Sequence, residues 1–149
     1  MIFDRTIEDV NNAIKIRAEK VQNGVELSQE DIATLERGTI TLNTLNRIEE
    51  KQDALKRELN GIGYWNTPML NKHWTKNDIF DETDFQRIVN NLEILKKSFF
   101  VYSTTPSTPT AKYYFENINA AEKILSDIEL MISDVESNYK ICGTFECGE

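Results

Sequence analysis

An all-α fold, a bundle of four to five helices with a short extended C-terminal tail, is what this sequence predicts, and three observations carry that expectation. The last third holds the apolar stripe Ile118, Ala121, Leu125, Ile128, Ile132, Val135 and Tyr139 at alternating spacings of three and four. An α-helix turns once every ~3.6 residues, so these side chains share one face that must be buried. Two middle runs, Leu42-Leu45-Ile48-Leu55-Leu59 and Phe85-Ile88-Val89-Leu92-Leu95-Phe99, repeat with the same period. Between the periodic stretches stand helix stops and turn formers, namely Gly24, Gly38, Asn60-Gly61 and the Pro106/Pro109 segment.

The first helix is expected over about 6–22. Thr6 followed by Asp9 has the spacing of a capping box, and Ile7, Val10, Ala13, Ile14, Ile16 and Val21 give it an apolar face before Gly24 stops it. Ser28 opens a short second helix over 28–37, a strut with Ile32 and Leu35 inward and Gly38 as terminator. The third runs over 42–60, with Gln52 in the seam between Ile48 and Leu55. Its Asp53–Arg57 pair, like most exposed i,i+4 pairs, is worth about 0.3 kcal/mol. Residues 62–74, which include both tryptophans and the sole histidine, lack periodicity and read as an ordered loop. Asp81 or Thr83 caps a fourth helix over 82–99, and the partial match of Leu45-Asn46-Arg47-Ile48 to Phe85-Gln86-Arg87-Ile88 reads as shared packing constraint more than duplication. Ser103–Thr110 breaks the helix as a solvated connection. The fifth helix spans 115–139, with Asn119 and Glu122 as an alternative capping pair for a later start, and 140–149 forms the extended tail.

The chain's 149 residues, 40% hydrophobic and 28% charged, suit one core, so a single helical domain over 1–149 is expected. No stretch approaches the ~18 uninterrupted apolar residues of a membrane span, and the amino terminus lacks an export signal, which predicts a soluble protein. A net charge of −8 disfavours nucleic acid and anionic lipid as partners, because both are captured by clustered Lys and Arg. Cys142 and Cys147 lie too close to the end to hold a core together. They can form a local disulfide under oxidising conditions, remain thiols, or sit in a strand that pairs with a neighbour.

Carboxylates such as Glu30-Asp31 and Asp81-Glu82-Asp84 fall at helix starts, where they stabilise the macrodipole. His73 has no neighbouring ligand set, and HExxH, GxSxG and GxxxxGK[ST] do not occur. The expectation is no enzyme, no metal and no cofactor. Two stretches stand out as interaction surfaces. Tyr64, Trp65, His73 and Trp74 have the composition of a sugar or protein contact, although loops between long helices also fold such rings over the core end. The same core-closing role is expected of Phe99, Phe100, Tyr102, Tyr113, Tyr114 and Phe115. Glu122, Asp127, Glu129, Asp134 and Glu136, outnumbering the basic residues of the last helix, suggest an acidic outer face on which a cationic partner could dock or which only maintains solubility. Phe145 adds an apolar residue in the tail.

Asp4-Arg5-Thr6 with Asp9-Val10, Leu45-Asn46-Arg47-Ile48-Glu49 leading to Gly63-Tyr64, Trp74 with Asp78-Ile79, and Asn119-Ala120-Ala121-Glu122-Lys123-Ile124-Leu125 before Cys142-Gly143-Thr144-Phe145 and Gly148-Glu149 give the chain a recognisable order of motifs. In these it resembles virion-associated, tail-type helical proteins of tailed phages and prophages of Gram-positive bacteria. The resemblance implies a structural or adaptor component of a phage-like virion, assembled in the bacterial host cytoplasm, with other virion proteins as partners and a homo-oligomeric state. The alternatives are a host-surface glycan or protein recognition module built on loop 62–74, and a small intracellular regulator that binds a host protein.

Overall fold

A computed structural model describes residues 1–64, 68–110, 112 and 114–142, the last four by backbone alone. All regular structure among them is helical: α1 (Ile7–Ile16) running into a π turn (Arg17–Val21), α2 (Gln29–Gly38), α3 (Leu42–Gly61), α4 (Glu82–Ser98) and α5 (Phe115–Cys142). This is the all-α architecture expected. No helix among the described residues is long and apolar enough to cross a membrane.

Local chemistry sets the element ends. Thr6 accepts from the Asp9 backbone N–H while the Asp9 carboxylate accepts from that of Thr6, and Ser28 with Asp31 repeats the arrangement at α2. Asp81, not Thr83, caps α4. Gly24 and Gly63, at φ +67° and +88°, sit in left-handed turns that non-glycine residues rarely adopt. At the second, the Tyr64 N–H reaches the Leu59 carbonyl (2.9 Å) and the Gly63 N–H that of Asn60 (3.2 Å), satisfying carbonyls the end of α3 would otherwise leave orphaned.

The core lies among α3, α4 and α5, with Ile48, Leu55 and Leu59 meeting Phe85, Ile88, Leu92 and Leu95 and the stripe of α5. Ile118, Ala121, Leu125, Ile128 and Ile132 of that stripe are buried and Val135 is partly so, joined by Ile124. Three expectations are corrected. Asn119 and Glu122 do not cap a later start, because α5 begins at Phe115 and both side chains bind the N-terminal segment. The helix also runs through Cys142, so 140–142 are not extended, while 143–149 lie outside the described residues. Phe99 is buried as expected and Tyr102 half-buried, but Phe100 and Tyr114 point into solvent; Tyr113 lies outside the described residues.

The largest correction concerns the first helix. Helices α1 and α2 pack on each other as a hairpin in which Ala13 is the sole fully buried apolar residue, and neither contributes a buried side chain to the main core. The two backbones approach so closely that a Cβ built on Gly38 stands 2.1 Å from the Asp9 carbonyl oxygen and 2.5 Å from the Ala13 Cβ. Gly38 therefore belongs to the helix crossing and not only to the helix end. By turning Asp9, Ala13, Ile16 and Lys20 toward α2, α1 leaves Ile7, Ile14 and Val21 exposed at seven-residue spacing. An amphipathic pattern states that a face seeks burial; the partner α1 found lies on a neighbouring face.

Candidate functional site

Three buried carboxylates organise the body of the molecule. Glu49 on α3, fully buried, accepts from both terminal nitrogens of Arg87 on α4 (2.6 Å each), from the indole Nε1 of Trp74 (2.9 Å) and from the Lys72 backbone N–H (2.8 Å). Such bidentate, multiply hydrogen-bonded geometry is what a buried charge requires to offset its desolvation. The Glu49 carboxylate raises the pKa of the Arg87 guanidinium above its ordinary value. Beside it, Gln52 donates to the Ile88 carbonyl (2.9 Å) and accepts from Asn91 (3.2 Å), while Asn46 pairs with both backbone groups of Trp74. Together these bonds strap residues 69–74 onto α3 and α4.

Glu122 on α5, also fully buried, binds two cations: Arg5 Nη1 at 2.5 Å and Arg47 through Nε at 2.9 Å and Nη2 at 2.8 Å. Its Oε2 accepts the Ile2 backbone N–H (3.2 Å), and Asn119 exchanges hydrogen bonds with the Arg5 backbone. The N-terminal segment is thereby clamped to the first turns of α5. Asp127 is the third; it accepts from Lys123 one turn earlier and from the Thr105 hydroxyl (2.8 Å), which with Lys96 to the Pro106 carbonyl (2.9 Å) pins the proline-containing connection.

The proposed surface residues accordingly divide. Trp74 is 2% exposed, with Phe80 edge-on at 5.5 Å and Lys72 Nζ 4.0 Å from its ring centroid, so it presents no open face to a sugar. Glu122 and Asp127 do not belong to an acidic outer face, because distant cations and the 99–110 connection cover them. Tyr64 is half-buried, edge-on to Phe99 at 4.7 Å. His73 is exposed, its Nδ1 3.8 Å from Glu50 Oε1. Glu129, Asp134 and Glu136 do stand outward; Glu129 pairs with Lys51 and Asp134 accepts from the Tyr102 hydroxyl (2.5 Å), which pushes the phenol pKa up. Trp65, Phe145 and Cys147, and with Cys147 the disulfide alternative, lie outside the described residues, as does the Cys142 side chain.

The surface that inspection of the sequence missed is the outer face of the α1–α2 hairpin. Ile7 and Ile14 are 62% and 58% exposed, and Val21, Val25 and Ile32 also face solvent. Ile7 and Val10 continue into a groove of about 540 Å³ walled by Ile40, Tyr114, Phe115 and Ile118. Contiguous apolar surface of this kind marks interaction sites on soluble proteins. The strict seven-residue spacing was its signal. Elsewhere charge stays organised around caps: Asp9 is held down to about 2 by Arg37 and the Thr6 N–H, Asp31 to about 2 by Lys20 and Ser28, and Asp78 to about 2 by Thr75 and Lys72. Among the described residues no group of three or more His, Cys, Asp and Glu side chains is placed to hold a metal ion. No family model matches the chain, and neither does any curated protein or solved structure.

Proposed function

We propose that the chain is a non-enzymatic structural or adaptor component of a phage-like virion, tail-associated, that works through helix packing and subunit contacts in the company of other virion proteins. The observation that carries this reading is the exposed apolar row on the α1–α2 hairpin, surface whose burial awaits another protein. It is supported by the use made of the buried charges: Glu49 and Glu122 are engaged in ion pairs that tie elements together, and Asp127 ties the 99–110 connection to α5 through the Thr105 hydroxyl. The ordered motifs that resemble tail-type virion proteins supply the setting, and Arg5, Asn46, Arg47, Glu49, Trp74, Asn119 and Glu122 from those motifs are the residues that hold the elements in place. The test is fractionation of phage particles from an induced host lysate on a density gradient, with quantitative mass spectrometry of the particle band. Recovery of the chain in the band at a fixed copy number per particle is expected. Confinement to the particle-free fraction would overturn the reading.

A further inference from the structure

We propose that the groove between the start of α1 and the start of α5 is a binding site for a small monocarboxylate with an aliphatic body, of the chemical class of a medium-chain fatty acid, whose head is received by Arg5. This goes beyond the virion role proposed above and does not depend on it.

Two independent features call for an anion here. Arg5 stands in the wall of the groove, and its side chain is 3% exposed. Its Nη1 is occupied by the Glu122 carboxylate, the Ile2 carbonyl and the Asn119 side-chain oxygen, whereas Nη2 is buried and has no hydrogen-bond partner among the described residues. A buried donor without an acceptor carries its desolvation penalty uncompensated, and an acceptor that reaches it removes that penalty. Charge points the same way. Arg47, which shares Glu122 with Arg5, holds its Nη2 2.8 Å from that carboxylate, so two guanidiniums have one counter-charge between them and the buried cluster keeps one positive charge in excess. The second feature is the helix end. Phe115 and Glu116 at the start of α5 line the groove, and the N–H groups of Asn117 and Ile118 converge on the Tyr114 carbonyl (3.0 and 3.1 Å), so the positive end of a 28-residue helix opens on the same space.

The walls select the rest of the ligand. Ile7, Val10, Ile40, Phe115 and Ile118 make the groove apolar on both the α1 and the α5 side, which suits an aliphatic body and disfavours a hydrated inorganic anion. Its volume of about 540 Å³ lies within the range of small-molecule sites, about 300–1,000 Å³. Glu116, exposed at the edge of the groove, opposes any incoming negative charge, and opposes the dianion of a phosphate monoester more than the single charge of a carboxylate. A carboxylate on Arg5 Nη2 brings the cluster to two guanidiniums and two carboxylates. Its hydrocarbon then covers Ile7 and Val10.

The experiment is isothermal titration calorimetry of the whole chain with decanoate, decan-1-ol and decylammonium, each kept below its solubility or micelle limit, with amide NMR to place the contact. Decanoate is expected to bind one-to-one, about tenfold or more tighter than decan-1-ol, and to shift the amides of 5–10, 38–40 and 114–118. Because the chain carries a net charge of −8, adventitious surface binding would rank decylammonium first. Ile7→Glu puts an acid into the groove at an exposed position and should weaken decanoate about tenfold or more, while Ile14→Glu, exposed on the same helix outside the groove, should leave it unchanged. Arg5→Met keeps the Arg47–Glu122 pair and the apolar walls, so the preference for decanoate over decan-1-ol should vanish while decan-1-ol still binds. Unchanged circular dichroism confirms that each variant folds, and the ligand series with the Ile7→Glu and Ile14→Glu pair decides the matter even where Arg5→Met does not. Absence of saturable decanoate binding, equal or tighter binding of decan-1-ol or decylammonium, amide shifts confined to other segments, equal weakening by Ile7→Glu and Ile14→Glu, or a decanoate preference that survives Arg5→Met each overturns the proposal. Recovery of the chain in phage particles is a separate result that none of these outcomes alters.

Discussion

Replacing Gly38 by alanine tests the helix crossing on which the α1–α2 hairpin is built. The added methyl would sit 2.1 Å from the Asp9 carbonyl oxygen, 2.7 Å from its carbon and 2.5 Å from the Ala13 Cβ. Carbon–oxygen contacts settle at about 3.3 Å or more, so α1 must retreat by about 1.2 Å, and two of the three obstacles are backbone atoms that no rotamer change can move. Overpacking of this kind costs about 1–3 kcal/mol. Set against it is the preference of a helix for alanine over glycine, up to about 1 kcal/mol in an interior and less at a last residue. The net expectation is destabilisation of hairpin docking by about 1–2 kcal/mol, roughly a fivefold to thirtyfold rise in its opening equilibrium. Because Gly61 is also the last residue of its helix and has nothing within 4 Å of a built Cβ, Gly61→Ala serves as the control and should be neutral or mildly stabilising. Hydrogen exchange read by mass spectrometry supplies the measurement. In Gly38→Ala, protection should fall over residues 7–38 while the buried segments of α3, α4 and α5 keep theirs. Equal effects of the two substitutions, or unaltered hairpin protection in Gly38→Ala, would refute the reasoning.

Other substitutions read the core and its charges. Glu49→Ala leaves the Trp74 indole N–H without its acceptor and the Arg87 guanidinium with only the Leu70 carbonyl and Asp84, and urea unfolding should show a loss of about 3 kcal/mol; a loss below about 1 kcal/mol contradicts the role given to this carboxylate. Leu125→Ala is expected to cost about 2–5 kcal/mol by opening a cavity in the α3–α5 core, whereas Leu130→Ala on the same helix should fall within about 0.5 kcal/mol of wild type, and comparable losses would mean the face assignment is wrong. Glu122→Gln removes the ionic hold on Arg5 and Arg47 and leaves one acceptor oxygen between them, so limited proteolysis should cut within the first six residues sooner than in wild type, with the α3–α4 region equally resistant in both. Acid should loosen the hairpin first. The folded-state pKa of Asp9 and of Asp31 is depressed from 3.8 to about 2, so their stabilisation is present above 3.8 and disappears as the pH falls through this window to about 2; hydrogen-exchange protection of 7–38 should fall there ahead of that of α3, and simultaneous loss in both would contradict the linkage.

Much of the fold was legible because it is written locally. Thr6 with Asp9, Ser28 with Asp31 and Asp81 before Phe85 announce helix starts through bonds spanning three or four residues, and the α5 stripe announces burial through period alone. The candidate site was not legible to the same degree, since its chemistry is non-local. Glu122 reads as one acid among many on an acidic helix, and only the arrival of Arg5 from 117 positions away makes it a buried hub. Trp74 reads as a loop aromatic until Asn46 and Glu49, 28 and 25 positions earlier, fix its backbone and its indole. Gly38 reads as a stop because a sequence shows the missing side chain and not the helix lying against it.

The Glu122 clamp also orders events during synthesis. Glu49 finds Trp74 and Arg87 within 38 positions, so the α3–α4 unit can settle while the ribosome is still at work, whereas Arg5 emerges 117 positions before its carboxylate. At about 5–20 residues per second the N-terminal segment waits roughly 6–23 s with its anchor unmade. Protease cleavage within the first six residues of ribosome-stalled chains is therefore expected to stay rapid during that interval, and to slow once α5 is released.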